Sequence, residues 1–394
     1  MPFSARVGFF GLAEAGAPAP PPAPINWYEY DRANYEPISE SLTGGTVTDT
    51  TFTVSAMSPS LSYRAGVAHP NGNIYCMPRN ASTGLLEIDP VNETSTTYTY
   101  GDLGLLNSTG QAYFHSCCIT ESGNILAVPF NYDYIMQVDP VAQTATKFGL
   151  TGRDSGPFTS SVQFTGCVLA PNGNVIAMPQ QYGDFLDIDP VTETVTVTDF
   201  GLTLRSGTNE FFGGTRSFQD DKIYPSPLRY QGIVAIDAVA GTATTNQYSQ
   251  SWPVTNNHYG ASCDKYGRII YVGGESSVPH RIFDPDSNTA STFTLSGTSY
   301  GSQQGADGNV YTISKGTATR KIVFTSNTDV SPSITTENAD TGNKMISATA
   351  TSGHTIILRD GSSSTALKLD TSANTSIDNF ANVTMTPYMN SGRI

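Results

Sequence analysis

The sequence predicts an all-β fold: a seven-bladed β-propeller over residues 42–394, preceded by an extended proline-rich N-terminal arm and linker over residues 1–41. Three observations carry this reading. A segment built around a glycine turn recurs along the chain, a second landmark follows each turn at near-constant spacing, and the residues ahead of each turn are small.

Three copies nearly superimpose: Ala170–Val197, Thr120–Lys147 and His69–Thr96. Weaker copies follow, and the turns anchor at Gly72, Gly123, Gly173, Asp221, Gly267, Gly308 and Gly353, in steps of 41 to 51 residues. That is the period of a propeller blade. Sixteen or seventeen residues after each turn an apolar strand ends at Asp89, Asp139, Asp189, Asp237, Asp284, Phe324 or Asp370.

Each unit reads as four strands. In the second, Tyr113–Ile119 leads into a Gly-Asn turn whose residues suit a two-residue hairpin. Asn124–Pro129, Ile135–Asp139 and Thr144–Phe148 supply the other three strands, with a Pro-led turn before the last. Seven residues before the anchors stand Ala65, Ser116, Gly166, Gly214, Gly260, Gly301 and Ile346. Six before stand Gly66, Cys117, Cys167, Thr215, Ala261, Ser302 and Ser347. Strands converging on an axis leave little room for side chains, which favours a radial arrangement over a flat sandwich. Thr46–Ser55 resembles a fourth strand without its own blade, and it is expected to close the ring by pairing near Ser376–Phe380.

Composition fits strands joined by tight turns. Charged residues make up 14% of the chain, against roughly 25% in ordinary domains. The 37 glycines tolerate positive φ, while Thr and the 20 tyrosines suit a pleated surface. A net charge of −14 opposes any phosphate-backbone role, so nucleic acid is not an expected partner. The five cysteines, Cys76, Cys117, Cys118, Cys167 and Cys263, fall in predicted buried strands and read as reduced core residues. No membrane insertion is expected, because the apolar N-terminal region is broken by Glu14 and by prolines.

The pattern GNIY.MP followed by IDPVTETVT resembles the repeats of NHL and virginiamycin B lyase-like propellers across about residues 60–380. The motif consists of turns and core strands, so the resemblance implies fold more than function. The opening Met1–Gly11, followed by a Pro-Ala linker, is similar to the starts of structural proteins of marine tailed bacteriophages, and the ending Pro387–Ile394 has the same character. That resemblance implies a virion component, assembled in the host cytoplasm and present in multiple copies per particle.

The arm supports an attachment role. Ala15–Pro24 is an extended, solvated linker by composition. Ahead of it, the largely apolar Phe3, Arg6, Val7, Phe9, Phe10 and Leu12 are expected to dock on a neighbouring virion protein, the alternative being that the arm folds back on its own propeller.

Catalysis is not expected. A lyase or lactonase propeller would gather acids, histidines and a metal at its central mouth. The positions eight before each anchor hold Arg64, His115, Thr165, Gly213, Tyr259, Tyr300 and Met345, which is no metal-ligand set. Neither metal nor cofactor is implied. The repeated aspartates belong to separate blades, and their expected role is to accept backbone N–H groups in the following turn.

A binding face is the better wager. The second-to-third strand loops and the blade-to-blade connections share one end of a propeller and carry Tyr132, Tyr134, Tyr182, Tyr230, Phe211, Phe212 and Trp252. Rigid amphipathic rings of this kind suit protein or glycan contacts. The reading is therefore a non-enzymatic virion structural protein, arm-anchored, with a tail fibre or appendage favoured and a host-surface glycan or protein as the outward partner. A capsid decoration protein is the alternative within that class. A lyase or lactonase-type propeller enzyme is the alternative from another class.

Overall fold

The computed structural model describes residues 48–54, 63–78, 84–98, 114–132, 134–149, 163–204, 210–246, 258–274, 278–295, 297–305, 308–315, 318–326, 328–338, 344–349, 354–359 and 365–370. All regular elements among them are strands. The first is β1 (Thr48–Thr53). Blade one follows with β2 (Tyr63–Ala68), β3 (Ile74–Pro78), β4 (Leu85–Asp89) and β5 (Thr94–Tyr98). Blade two holds β6 (Phe114–Ile119), β7 (Ile125–Pro129), β8 (Tyr134–Asp139) and β9 (Thr144–Gly149). Blade three holds β10 (Phe164–Leu169), β11 (Val175–Pro179), β12 (Phe185–Asp189) and β13 (Thr194–Thr198). Blade four holds β14 (Phe211–Arg216), β15 (Ile223–Pro227), β16 (Ile233–Asp237) and β17 (Thr242–Asn246). Blade five holds β18 (His258–Cys263), β19 (Ile269–Gly273), β20 (His280–Asp284) and β21 (Thr289–Phe293). Blade six holds β22 (Thr298–Gln304), β23 (Val310–Lys315), β24 (Thr319–Val323) and β25 (Ser333–Asn338). The last blade holds β26 (Lys344–Thr349), β27 (His354–Arg359) and β28 (Thr365–Asp370).

These strands form seven four-stranded antiparallel sheets. The innermost strands β2, β6, β10, β14, β18, β22 and β26 pack side by side in chain order, and β26 packs back against β2, so the ring is a closed β-propeller. In the last sheet β1 takes the outermost place, beside β28. The closing strand thus pairs with Thr365–Asp370, in place of the expected Ser376–Phe380, which lies outside the described residues. The whole N-terminal arm, with Phe3, Arg6, Val7, Phe9, Phe10 and Leu12, also lies outside them.

The core lies between blades. One apolar cluster joins Val67, Tyr75 and Met77 of blade one to Phe114, Ile119 and Met136 of blade two. The next joins Leu126 and Ile135 of blade two to Phe164 and Leu186 of blade three, and the pattern continues round the ring. Each sheet therefore buries both faces, which is why β3, β7 and β11 are apolar without alternation. All five cysteines are free and buried.

Where it is described, the first turn of a blade departs from the two-residue hairpin. The His69 N–H donates to the Asn73 carbonyl at 2.8 Å, and the Gly72 N–H donates to the His69 carbonyl at 3.0 Å. That is a three-residue loop closed by a residue in the left-handed region, Gly72 at φ 95°. Equivalent pairs recur at Thr120–Asn124 and Ala170–Asn174. The small inner-strand residues have the cause expected of them. A Cβ on Gly166 would stand 2.3 Å from the Gly213 Cα of the next blade.

The aspartates at the strand ends cap the second turn. Asp89 Oδ1 accepts the N–H groups of Val91 and Asn92, both at 2.9 Å, and Asp139 and Asp189 do the same in blades two and three. In Asp189, hydrogen bonds from the Thr192 side chain and backbone, and from the Val191 N–H, hold the carboxyl below its usual range. Blade six lacks an aspartate at its strand end, and Asp329 takes over by accepting from the Thr325 and Ser331 N–H groups.

Candidate functional site

Each inner strand slips register near its start. The slips fall between Tyr63 and Ala65, Phe114 and Ser116, and Phe164 and Gly166 in the first three blades. They fall between Phe211 and Gly214, and between His258 and Ala261, in the next two. The last two slip between Ser299 and Gly301, and between Lys344 and Ile346. The residues skipped include Arg64, His115, Thr165, Gly213, Tyr259, Tyr300 and Met345, which are the mouth positions read from spacing. A bulge disrupts the ladder and can re-aim a side chain, so one offset in the sequence becomes one ring of backbone irregularities at one end of the propeller.

Where the side chains are described, this ring is used for packing. His115 is buried and lies parallel on Phe130, the first residue after β7, with ring centroids 3.4 Å apart and planes 8° apart. Tyr259 covers the corresponding residue of its own blade: a Cβ on Gly274 would lie 1.6 Å from the Tyr259 ring. It also meets Phe212 of the preceding blade edge-on, at 5.3 Å. Thr165 Oγ1 donates to the Phe211 carbonyl at 3.2 Å, tying blade three to blade four.

A backbone belt runs beside these residues. The Gln163 N–H donates to the Phe130 carbonyl at 2.9 Å, Gln180 to Gln163 at 2.7 Å, Glu210 to Gln180 at 3.0 Å and Leu228 to Glu210 at 2.9 Å. Gln163 and Glu210 are buried and stand immediately ahead of inner strands. Glu210 brings an acid close to the mouth that sequence reasoning missed. The available signal was its place directly before Phe211-Phe212-Gly213-Gly214, in the same relation to its strand as Gln163.

The expected aromatic face divides. Tyr132, Tyr182 and Tyr230 each pack on the first residue of their blade's inner strand, with centroid separations of 5.7 Å to Phe114, 4.9 Å to Phe164 and 5.1 Å to Phe211. The repetition in blades two, three and four makes this a device of the fold, a loop tyrosine lidding the end of an interblade core. Tyr182, Phe211 and Phe212 are buried, contrary to their expected place on the surface. Tyr132 and Tyr230 are half-buried, and the Tyr230 hydroxyl lies 3.1 Å from Thr245 Oγ1. Trp252 lies outside the described residues.

What stays open is on blade two. Tyr134 is exposed and meets Tyr132 edge-on at 5.4 Å, and the Lys147 ammonium sits 4.9 Å from the Tyr134 ring centre. Opposite Tyr134 in the sheet is Gly149, beside which a Cβ would meet nothing within 4 Å. An exposed ring with a cation over it and free space at its side can stack against a planar or sugar-like surface. Among the described residues, no group of three or more His, Cys, Asp or Glu is placed to hold a metal.

No known protein family matches the sequence, and no curated protein does either. Solved structures share the fold. A streptogramin B lyase aligns with a TM-score of 0.64 at 12% identity, covering 82% of this chain and 97% of that one. A catalytically inactive histidine-to-alanine variant of virginiamycin B lyase from Staphylococcus aureus, with quinupristin, aligns with a TM-score of 0.64 at 11% identity over 82% of this chain and 99% of that one. The WD40 β-propeller domain of Doa1 aligns with a TM-score of 0.56 at 11% identity, covering 84% of this chain and 99% of that one. At such identities the likeness concerns architecture, and it spans a lyase and a WD40 repeat domain alike.

Proposed function

We propose that this chain is a non-enzymatic structural protein of a tailed bacteriophage virion, held by its N-terminal arm and displaying the propeller as a binding body, on a tail fibre or appendage. The observation that carries the proposal is the placement of two features at opposite ends of the ring. Residues 1–47 lead into β1 at Thr48, which stands opposite Asp370, at the end where the third strands finish. The exposed Tyr134 and its Lys147 lie where a third strand begins, at the other end. A body tethered at one end can present the other outward, to a glycan or protein of the host surface. At the mouth, His115, Thr165 and Tyr259 are engaged in stacking and in interblade contacts, which supports binding over turnover.

The test is location. Mass spectrometry of purified particles should find the chain, and a chain lacking residues 1–24 should fold yet be absent from them. Normal incorporation of that shortened chain would count against the anchor, and robust lyase or lactonase turnover would count against the non-enzymatic reading. The position of the chain in the particle also separates a tail site from a head site.

A further inference from the structure

Seven large hydrophobic side chains are exposed among the described residues, and five of them are valines on one kind of turn, the link from third to fourth strand. They are Val91, Val141, Val191, Val239 and Val330, between 49% and 85% exposed. Blade five carries Asp286 in that turn, and the last blade has no such turn because its fourth strand is β1. The turn does not need valine: Asp89 caps through the backbone N–H of Val91, which any residue but proline supplies. Simple copying of one repeat does not account for all five. Val239 follows Ala238 where other copies have proline, and Val330 sits in a longer turn capped from a different position by Asp329.

Charge narrows what could cover this crown. The six turns hold Glu93, Glu193, Asp286 and Asp329 and no lysine or arginine, with Lys368 reaching Glu93 from the neighbouring blade. Two such crowns would repel each other, which disfavours a second copy of the chain end to end. Position identifies the partner. Strand β1 begins at Thr48 opposite Asp370, at the same end of the ring as the valine turns, so the arm reaches the propeller beside the crown.

We infer that the valine crown is a docking surface that seats the propeller on the virion protein gripped by the arm, and that this partner offers apolar hollows bordered by lysine or arginine. The inference rests on the virion reading above and adds which end faces the particle. The test uses the full-length chain with Val91, Val141, Val191 and Val239 replaced together, either by lysine or by glutamate. Both variants should melt with the wild type, because these side chains are exposed. Particle incorporation should fall at least about tenfold in both, and further with lysine than with glutamate. Normal incorporation of both variants, with the arm-deleted chain still excluded, would overturn the crown and leave the anchor standing. A greater loss with glutamate would overturn the basic partner. Absence of the wild-type chain from particles would overturn both readings.

Discussion

The ammonium of Lys368 lies 3.0 Å from a carboxylate oxygen of Glu93, joining the last blade to the first. It marks the seam of the ring. The Glu93 side chain is 39% exposed, so solvent and salt screen the pair. Its loss should therefore matter little: Lys368→Met is expected to cost about 0.5 kcal/mol in urea unfolding, and less in high salt. The strand beside it should matter far more. Removing residues 1–54 takes away β1 and leaves β28 with an open edge, a template for aggregation. That chain should lose cooperative unfolding and sediment as aggregate, whereas the chain lacking residues 1–24 stays monomeric in the ultracentrifuge.

A different outcome is expected at the buried pair in blade five. Arg268 donates to Asp264 Oδ2 from Nε at 2.9 Å and from Nη2 at 2.7 Å, and from Nη1 to the Asp329 carbonyl of blade six at 2.7 Å. The guanidinium is also 4.5 Å from the Phe324 ring centre, and both charged side chains are almost wholly buried. Burial pushes the Asp264 carboxyl up despite the nearby charge, so its ionised form depends on the arginine. Arg268→Ala should cost about 3–5 kcal/mol, measured as a shift in the urea midpoint. A cost near that of Lys368→Met would mean that water reaches the pair.

The repeat and the mouth positions were legible because each is written at a fixed offset from a turn residue, and ring geometry turns equal offsets into equal positions. The six aspartates read as turn caps for the same reason, and five of them are seen doing this or standing at the head of the same turn. The closing strand was legible as an extra strand but not in its partner, which is Thr365–Asp370, and the register slips at the mouth positions were not foreseen. Exposure was less legible. Tyr182 and Phe211 look like surface aromatics in a loop and a connection, but a propeller must cover the ends of its interblade cores, and these rings do so. Conversely, Val91 and its equivalents follow a proline in most copies and read as turn punctuation. Only the three-dimensional arrangement shows that they point into solvent at one end.

The close approach of the inner strands gives a sharp contrast between two glycines. A methyl on Gly166 would meet the Gly213 Cα at 2.3 Å and the Met178 sulfur at 2.9 Å, and the first of these is backbone that cannot swing aside. Gly166→Ala should destabilise the protein by about 1–3 kcal/mol or more. Gly149 has nothing within 4 Å of such a methyl. Gly149→Ala should be neutral or stabilising by about 0.5 kcal/mol, since alanine restricts the unfolded chain. Thermal melts of the two variants side by side would decide whether crowding at the axis selects the small residues.

Three buried histidines should make the ring labile in mild acid. The Asn71 N–H donates to His69 Nδ1 at 3.1 Å, so the ring hydrogen is on Nε2, which donates to the Gly123 carbonyl of blade two at 2.9 Å. The Gly273 N–H likewise donates to His280 Nδ1 at 2.9 Å. His258 Nε2 donates to the Pro279 carbonyl at 3.1 Å. Burial lowers all three, His258 to about 3 and His280 to about 4. Their folded values lie below the unfolded value of about 6.5, so the unfolded chain binds more protons in between. Stability is thus complete above that value and declines as pH falls towards the folded values, by up to about 1.4 kcal/mol per pH unit for each ring. Asp187 and Asp264, held high by burial, oppose this trend, while Asp89 and Asp189, held low by turn hydrogen bonds, reinforce it only near the carboxylate range. Urea midpoints at about pH 7.5 and about pH 5 should show the decline, and His69→Gln, which takes up no proton, should make it shallower without removing it, since His258 and His280 remain. A midpoint unchanged between the two conditions would mean that these rings are not held neutral by their burial.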